Sequence, residues 1–274
     1  MLAWEDGERP MLVLEDLSQA VWPLPWSPSL VGRVLEMLSE VRSTEPPGRL
    51  PSLDRLSLRG WSIVAENPTS FLGLGLCSSE GLDEALPALV TAELEAPLEG
   101  EEFVHMDVRS DNLCFTGERT LMVDWNLACR GNGLFDIAAW LPSLQSEGGP
   151  VPEEVSEEAS VFAGIVSGYF AARAGEPIIV EAPRVRGVRM EQLRTALPWA
   201  VRASGLPPVY KARREAVSER VTRSYAGHST SILCHSEGRE RRRIWRRGSP
   251  RVSYRWPDPN LPRFFATAQN DISI

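Results

Sequence analysis

The sequence predicts an α+β protein: a mainly helical body, a β-hairpin near its middle and a basic tail of low order. Three observations predict this. Apolar residues recur at helical spacing over Leu30, Val31, Val34, Leu35, Leu38 and Val41, and again over Val161, Phe162, Ile165, Val166 and Phe170. Two short apolar runs, Leu113-Cys114-Phe115 and Leu121-Met122-Val123, flank a turn in which Gly117 is free to take positive φ. Apolar periodicity stops near Pro207, and from Arg239 to Asn260 serine, arginine and proline dominate.

The elements follow in order. Leu2 to Trp4 and Met11 to Leu14 read as two strands around a Gly7-containing turn. Trp22-Pro23-Leu24-Pro25-Trp26 is a stiff apolar linker. Ser27 then Pro28 make an N-cap followed by proline at the first helical position, so the first helix starts there. Residues 50–78 are poorly patterned, and Gly73-Leu74-Gly75 reads as a turn, since no lysine follows it. A helix is expected from Leu82 to Leu94, a short one from Ile137 to Leu141 ending at Pro142, a long one from Glu153 to Ala174, and one from Met190 to Ala203 kinked at Pro198.

Composition sets bounds. A chain of 274 residues with 43% apolar content can bury one large core or two small ones. Acidic residues follow the start at once and no apolar run is long enough to span a bilayer, so neither a signal peptide nor a membrane helix is expected. Cys77, Cys114, Cys129 and Cys234 form no close pair, which suits a reducing cytoplasm. Residues 211–274 carry 14 Lys+Arg and 6 Asp+Glu; the totals of 29 and 37 leave 15 basic and 31 acidic residues in 1–210. The acidic body, at −16, argues against nucleic acid as the main partner. The tail's arginines and its Trp245, Tyr254 and Trp256 could bind nucleic acid or a membrane surface, but a disordered tail is the simpler reading.

Chemistry concentrates between Phe103 and Asn126. Antiparallel pairing brings the open ends of the hairpin together, with Asn112 just before its first strand and Asp124 just after its second. Asp107 lies five residues before Asn112. Two carboxylates and an amide oxygen then converge, a hard-oxygen set that suits Mg²⁺ with substrate phosphates. Capping and turn roles would explain either aspartate alone. They do not explain the ordered set of strand, His-x-Asp, Asn, hairpin, Asp, glycine-rich turn and Asp before an apolar helix.

His105-x-Asp107-x-x-x-x-Asn112, with Val123-Asp124-Trp125-Asn126 and Gly133-Leu134-Phe135-Asp136 after it, resembles the catalytic loop and metal-binding aspartate of the protein-kinase-like fold. The wording is most similar to the aminoglycoside phosphotransferase family. The resemblance implies that Asp107 accepts the substrate hydroxyl proton and that Asn112 and Asp124 hold Mg²⁺ on the phosphates of ATP, the co-substrate. It implies that Asp136 braces the loop; His105 reads as a packed structural residue beside it. Leu14, Glu15, Asp16 and Leu17 would form the adenine-binding hinge. Met106 and Trp125-Asn126 depart from the protein-kinase wording, and Asn126, which tolerates positive φ, is expected to serve the turn.

The fold expected from this is protein-kinase-like: residues 1–18 an N-lobe remnant and hinge, 19–206 a mainly helical C-lobe with a catalytic hairpin, and 207–274 the basic tail. Too few residues precede the hinge for a glycine-rich loop and its lysine, and the only lysine is Lys211. The implied function is ATP-dependent phosphorylation of a hydroxyl on a small molecule, impaired by the missing N-lobe. The alternative is a non-catalytic, pseudokinase-like binding module.

Overall fold

A computed structural model describes residues 3–5, 11–13, 15–180 and 182–208. Strands β1 (Ala3–Glu5) and β2 (Met11–Val13) pair antiparallel, with Ala3 opposite Val13. Leu14, first of the expected hinge residues, lies outside the described residues. Glu15, Asp16 and Leu17 follow in irregular chain: Ser18 N–H donates to Asp16 Oδ1 at 3.0 Å and Ala20 N–H to the Leu17 carbonyl at 3.0 Å. Val21 then exchanges two backbone hydrogen bonds with Phe115, at 2.9 and 2.8 Å.

Helix α1 (Pro28–Ser43) begins where the sequence places it. Ser27 Oγ accepts from Leu30 N–H at 3.3 Å, satisfying one of the donors a helix start leaves open. Its Val31, Val34, Met37 and Leu38 are buried. The unpatterned stretch after it holds a 3-10 turn (Leu53–Arg55) and two short helices, α2 (Trp61–Glu66) and α3 (Thr69–Leu72). Gly75 then turns at φ +70°. Helix α4 (Ser79–Leu94) starts three residues earlier than expected, because Ser78 Oγ caps Gly81 N–H at 3.1 Å.

A carboxylate from α4 builds the start of α2. Glu93 is 1% exposed. Its Oε2 accepts from Gly60 and Trp61 N–H at 2.6 and 2.7 Å, and its Oε1 from Ser62 N–H and Oγ at 3.0 and 2.8 Å. The backbone there runs so close to α7 (Ala163–Arg173) that a Cβ on Gly60 would lie 1.7 Å from the Gly168 carbonyl oxygen. Glycine is required at that crossing.

The middle of the chain supplies two further antiparallel pairs. β3 (Glu102–Val104) pairs with β6 (Cys129–Gly131), and β4 (Leu113–Thr116) with β5 (Arg119–Met122), joined through Gly117 at φ +55°. This is the expected hairpin.

Two expectations about the later helices are corrected. Helix α5 (Leu134–Ser146) does not end at Pro142 but continues through it. Proline costs about 3 kcal/mol in a helix interior, yet Phe135, Trp140, Leu141 and Leu144 are all buried on α5. Leu144, which lies beyond the proline, is worth about 1.5–3 kcal/mol when buried, comparable to the lost bond. The long helix from Glu153 is broken into α6 (Pro152–Val155), a 3-10 turn (Glu158–Phe162) and α7. Ser156 takes an extended conformation and its Oγ caps Ala159 N–H at 3.3 Å. Val161, read as part of the apolar face, is therefore 51% exposed, while Phe162, Ile165, Val166 and Phe170 are buried.

Helix α8 (Val185–Ala203) contains Pro198 and packs along α7. Trp61, Trp140, Trp199, Phe135, Phe162 and Phe170 fill the helical core. Among the described residues no helix is long and apolar enough to cross a membrane. Of the basic tail, everything beyond residue 208 lies outside the described residues.

Candidate active site

The site grows from the end of β3. Just past Val104 the chain leaves the strand, and two consecutive amides, His105 and Met106 N–H, point at Asp136 in the first turn of α5. Asp136 Oδ2 accepts from His105 at 2.7 Å and Oδ1 from Met106 at 2.8 Å. Burial pushes the Asp136 carboxyl up to about 7, against the pull of these two donors. Gripped this way, Met106 holds φ +75°, a left-handed conformation that costs a non-glycine residue about 1–2 kcal/mol.

The His105 ring is fixed on both nitrogens. Nδ1 accepts from Asp107 N–H at 3.2 Å, so Nε2 carries the proton and donates to the Val123 carbonyl at 3.0 Å. Trp125 meets the ring edge-on at 4.5 Å and itself stacks on Phe103 at 4.9 Å. Burial pulls the imidazole down to about 4, which keeps it neutral. His105 thus ties Asp107 on one strand end to Val123 on the other.

Asp107 is 6% exposed. Its Oδ2 accepts from Asn112 Nδ2 at 3.1 Å, and the same amide donates to the Asp107 carbonyl at 2.9 Å. Its Oδ1 faces Arg109 Nε at 3.2 Å, at an angle that makes an ion pair but no hydrogen bond. Arg109 Nη2 also reaches Asp111 Oδ2 at 2.9 Å. Burial raises the Asp107 carboxyl to about 6, Arg109 and Asn112 pull it down, and Asp111 and Asp124 push it up.

Backbone pairing closes the hairpin's open end: Val123 N–H donates to the Asn112 carbonyl at 2.9 Å. Asp124 follows directly, exposed, at φ +64°, with Oδ1 accepting from Asn126 Nδ2. The left-handed turn expected at Asn126 is therefore made by Asp124 instead; Asn126 sits in a 3-10 turn and orients the aspartate. This left-handed residue, two positions past the end of β5, turns the chain there.

The donors here fit Mg²⁺. Asn112 offers an amide oxygen and Asp124 a carboxylate, and Mg²⁺ takes one or two carboxylates plus phosphates and water. Among the described residues no group of three His, Cys, Asp or Glu could hold a metal without such help. Of the expected hinge residues, Glu15 is taken up by Arg119 on β5, at 3.1 and 3.0 Å.

Two participants were not singled out from sequence. Arg109 stands between Asp107 and Asp111 in an Asp-x-Arg-x-Asp alternation, which in extended chain puts the three on one side. That signal was available. Glu147, just after α5, accepts from Ser110 Oγ at 2.6 Å and from Trp26 Nε1 at 2.8 Å, and burial raises its carboxyl. No local pattern marks it.

No curated protein matches the chain. Residues 5–174 match the model of the phosphotransferase enzyme family (APH), a span covering the hairpin, the loop before it and the helix that braces them. The chain belongs to this phosphotransferase enzyme family, as an aminoglycoside phosphotransferase-like member with the kinase-like fold the family implies.

Proposed function

We propose that the protein transfers the γ-phosphoryl group of ATP to a hydroxyl of a small molecule, with Asp107 as general base. The observation that supports this most is the setting of Asp107. It is buried, oriented by Asn112 and neutralised on one side by Arg109, with its carboxyl raised to about 6. A base is most useful when its pKa lies near the working pH. The acceptor oxygen bonds to the γ-phosphorus, the bond from that phosphorus to the ADP oxygen breaks, and the hydroxyl proton passes to Asp107.

Asn112 and Asp124 would hold Mg²⁺, which when bound neutralises phosphate charge. His105 and Asp136 position the loop by the bonds described above. Leu14 to Leu17 are assigned to the nucleotide's base. A cytoplasmic setting suits the buried thiols of Cys114 and Cys129.

One observation favours the second reading, a non-catalytic binding module: the only lysine is Lys211, after the site. Positioning supplies most of the catalysis in this chemistry, so the oriented base weighs more. The test is acceptor-dependent ADP release with Mg²⁺ and ATP. Asp107→Asn should lower it by about 10²–10⁴-fold while leaving nucleotide binding intact.

A further inference from the structure

A cavity of about 470 Å³ lies between the start of α1 and the loop leading into α6. Small-molecule sites typically enclose roughly 300–1,000 Å³. Its walls include Trp26, Pro28, Val31, Leu35, Pro150 and Val155, and its one charged lining residue is the exposed Glu154.

Two observations give this cavity a purpose. Gly32 lines it from the interior of α1, where glycine is destabilising relative to alanine. A Cβ at Gly32 would meet nothing within 4 Å, so no close packing calls for glycine there. Open cavity lies in its place. The cavity is also wired to the catalytic loop. Trp26, braced edge-to-face by Trp140 at 5.3 Å, donates through Nε1 to Glu147 at 2.8 Å. Glu147 accepts from Ser110 Oγ at 2.6 Å, and Ser110 stands between Asp107 and Asn112.

We propose that this cavity receives the body of the phosphate acceptor, and that the acceptor is a largely apolar or aromatic alcohol carrying a single amine. The proposal rests on the phosphotransferase reading above. A polycation would need several carboxylates to face it, and the lining offers one. An apolar body is matched by Trp26, Val31 and Leu35, and one ammonium group by Glu154. Glu147 joins the cavity wall at Trp26 to the catalytic loop at Ser110.

Calorimetry on the full chain tests this with two probes: propranolol, an aryl alcohol with one amine, and kanamycin, a polyamine. Propranolol should bind and kanamycin should bind more weakly. Gly32→Leu should weaken propranolol by about tenfold or more, Gly32→Ala should not, and Glu154→Gln should weaken it about threefold. No propranolol binding, tighter kanamycin binding, or a folded Gly32→Leu that binds like the parent would each overturn the proposal. Glu154→Gln, at an exposed position, keeps the test open should Gly32→Leu fail to fold: unchanged propranolol affinity there overturns the assignment. Binding without any phosphate transfer would overturn the phosphotransferase reading and leave the site. Transfer to propranolol with KM unchanged in Gly32→Leu would overturn the site and leave that reading.

Discussion

Asp136 holds His105 by its backbone: the carboxylate at the start of α5 accepts the His105 N–H at 2.7 Å and the neighbouring amide at 2.8 Å. This pair of bonds fixes where β3 ends and where Asp107 begins. It also retains Met106 at positive φ.

Asp136→Asn keeps one oxygen and leaves one of the two buried amides without an acceptor. The cost should be about 2–3 kcal/mol, read as a lower denaturation midpoint with unchanged m-value. Hydrogen exchange at His105 and Met106 should accelerate with it. Unchanged exchange at both amides would contradict the brace.

Glu93 carries four hydrogen bonds from Gly60, Trp61 and Ser62 at the start of α2. Glu93→Gln replaces an acceptor oxygen by a donor facing donors, and should destabilise by about 2–3 kcal/mol. Chemical denaturation measures it. A shift within a few tenths would show that water can replace the carboxylate.

Gly60→Ala should be at least as damaging, because the new Cβ would sit 1.7 Å from a carbonyl oxygen of α7. Backbone must move on one side, at about 3 kcal/mol or more. Thermal melting of Gly60→Ala against Gly32→Ala makes the comparison, since the second position is open. Equal melting temperatures would contradict the close crossing.

Activity should rise with pH through about 6 and level off above, because Asp107 must lose its proton to act as base. Asp111→Asn removes a like charge and leaves Arg109 to Asp107, so the acid limb of kcat/KM should move to lower pH. The sign for stability is opposite. The folded value lies above the unfolded one, so the Asp107 contribution is complete below about 4 and lost as pH rises through about 6. An acid limb that stays put in Asp111→Asn would show that another group titrates.

How much of this was legible depended on how local each cause is. Ser27 with Pro28 and the Gly117 turn are local, and both elements formed where the sequence put them. The order Asp107, Asn112, Asp124, Asp136 was legible because each residue sits at the end of a readable strand or helix. Helix α2 was not, since its cap comes from a carboxylate 33 residues away. Proline at 142 pointed to a helix end, but burial of the same helix decided otherwise. Ser156 broke a periodic stretch by making its own cap. Glu147 could not be read at all, because its partners, Ser110 and Trp26, come from distant parts of the chain.

The most direct test of the central claim is transfer of labelled γ-phosphate from ATP, with Mg²⁺, to hydroxyl acceptors including propranolol and kanamycin. Wild type and Asp107→Asn are compared at protein in excess over ATP. Labelled acceptor should form with the wild-type chain, however slowly, and should fall by about 10²-fold or more in Asp107→Asn. Transfer that survives Asp107→Asn would contradict the role of Asp107. Nucleotide bound with no transfer at all would contradict the enzyme and leave a binding module.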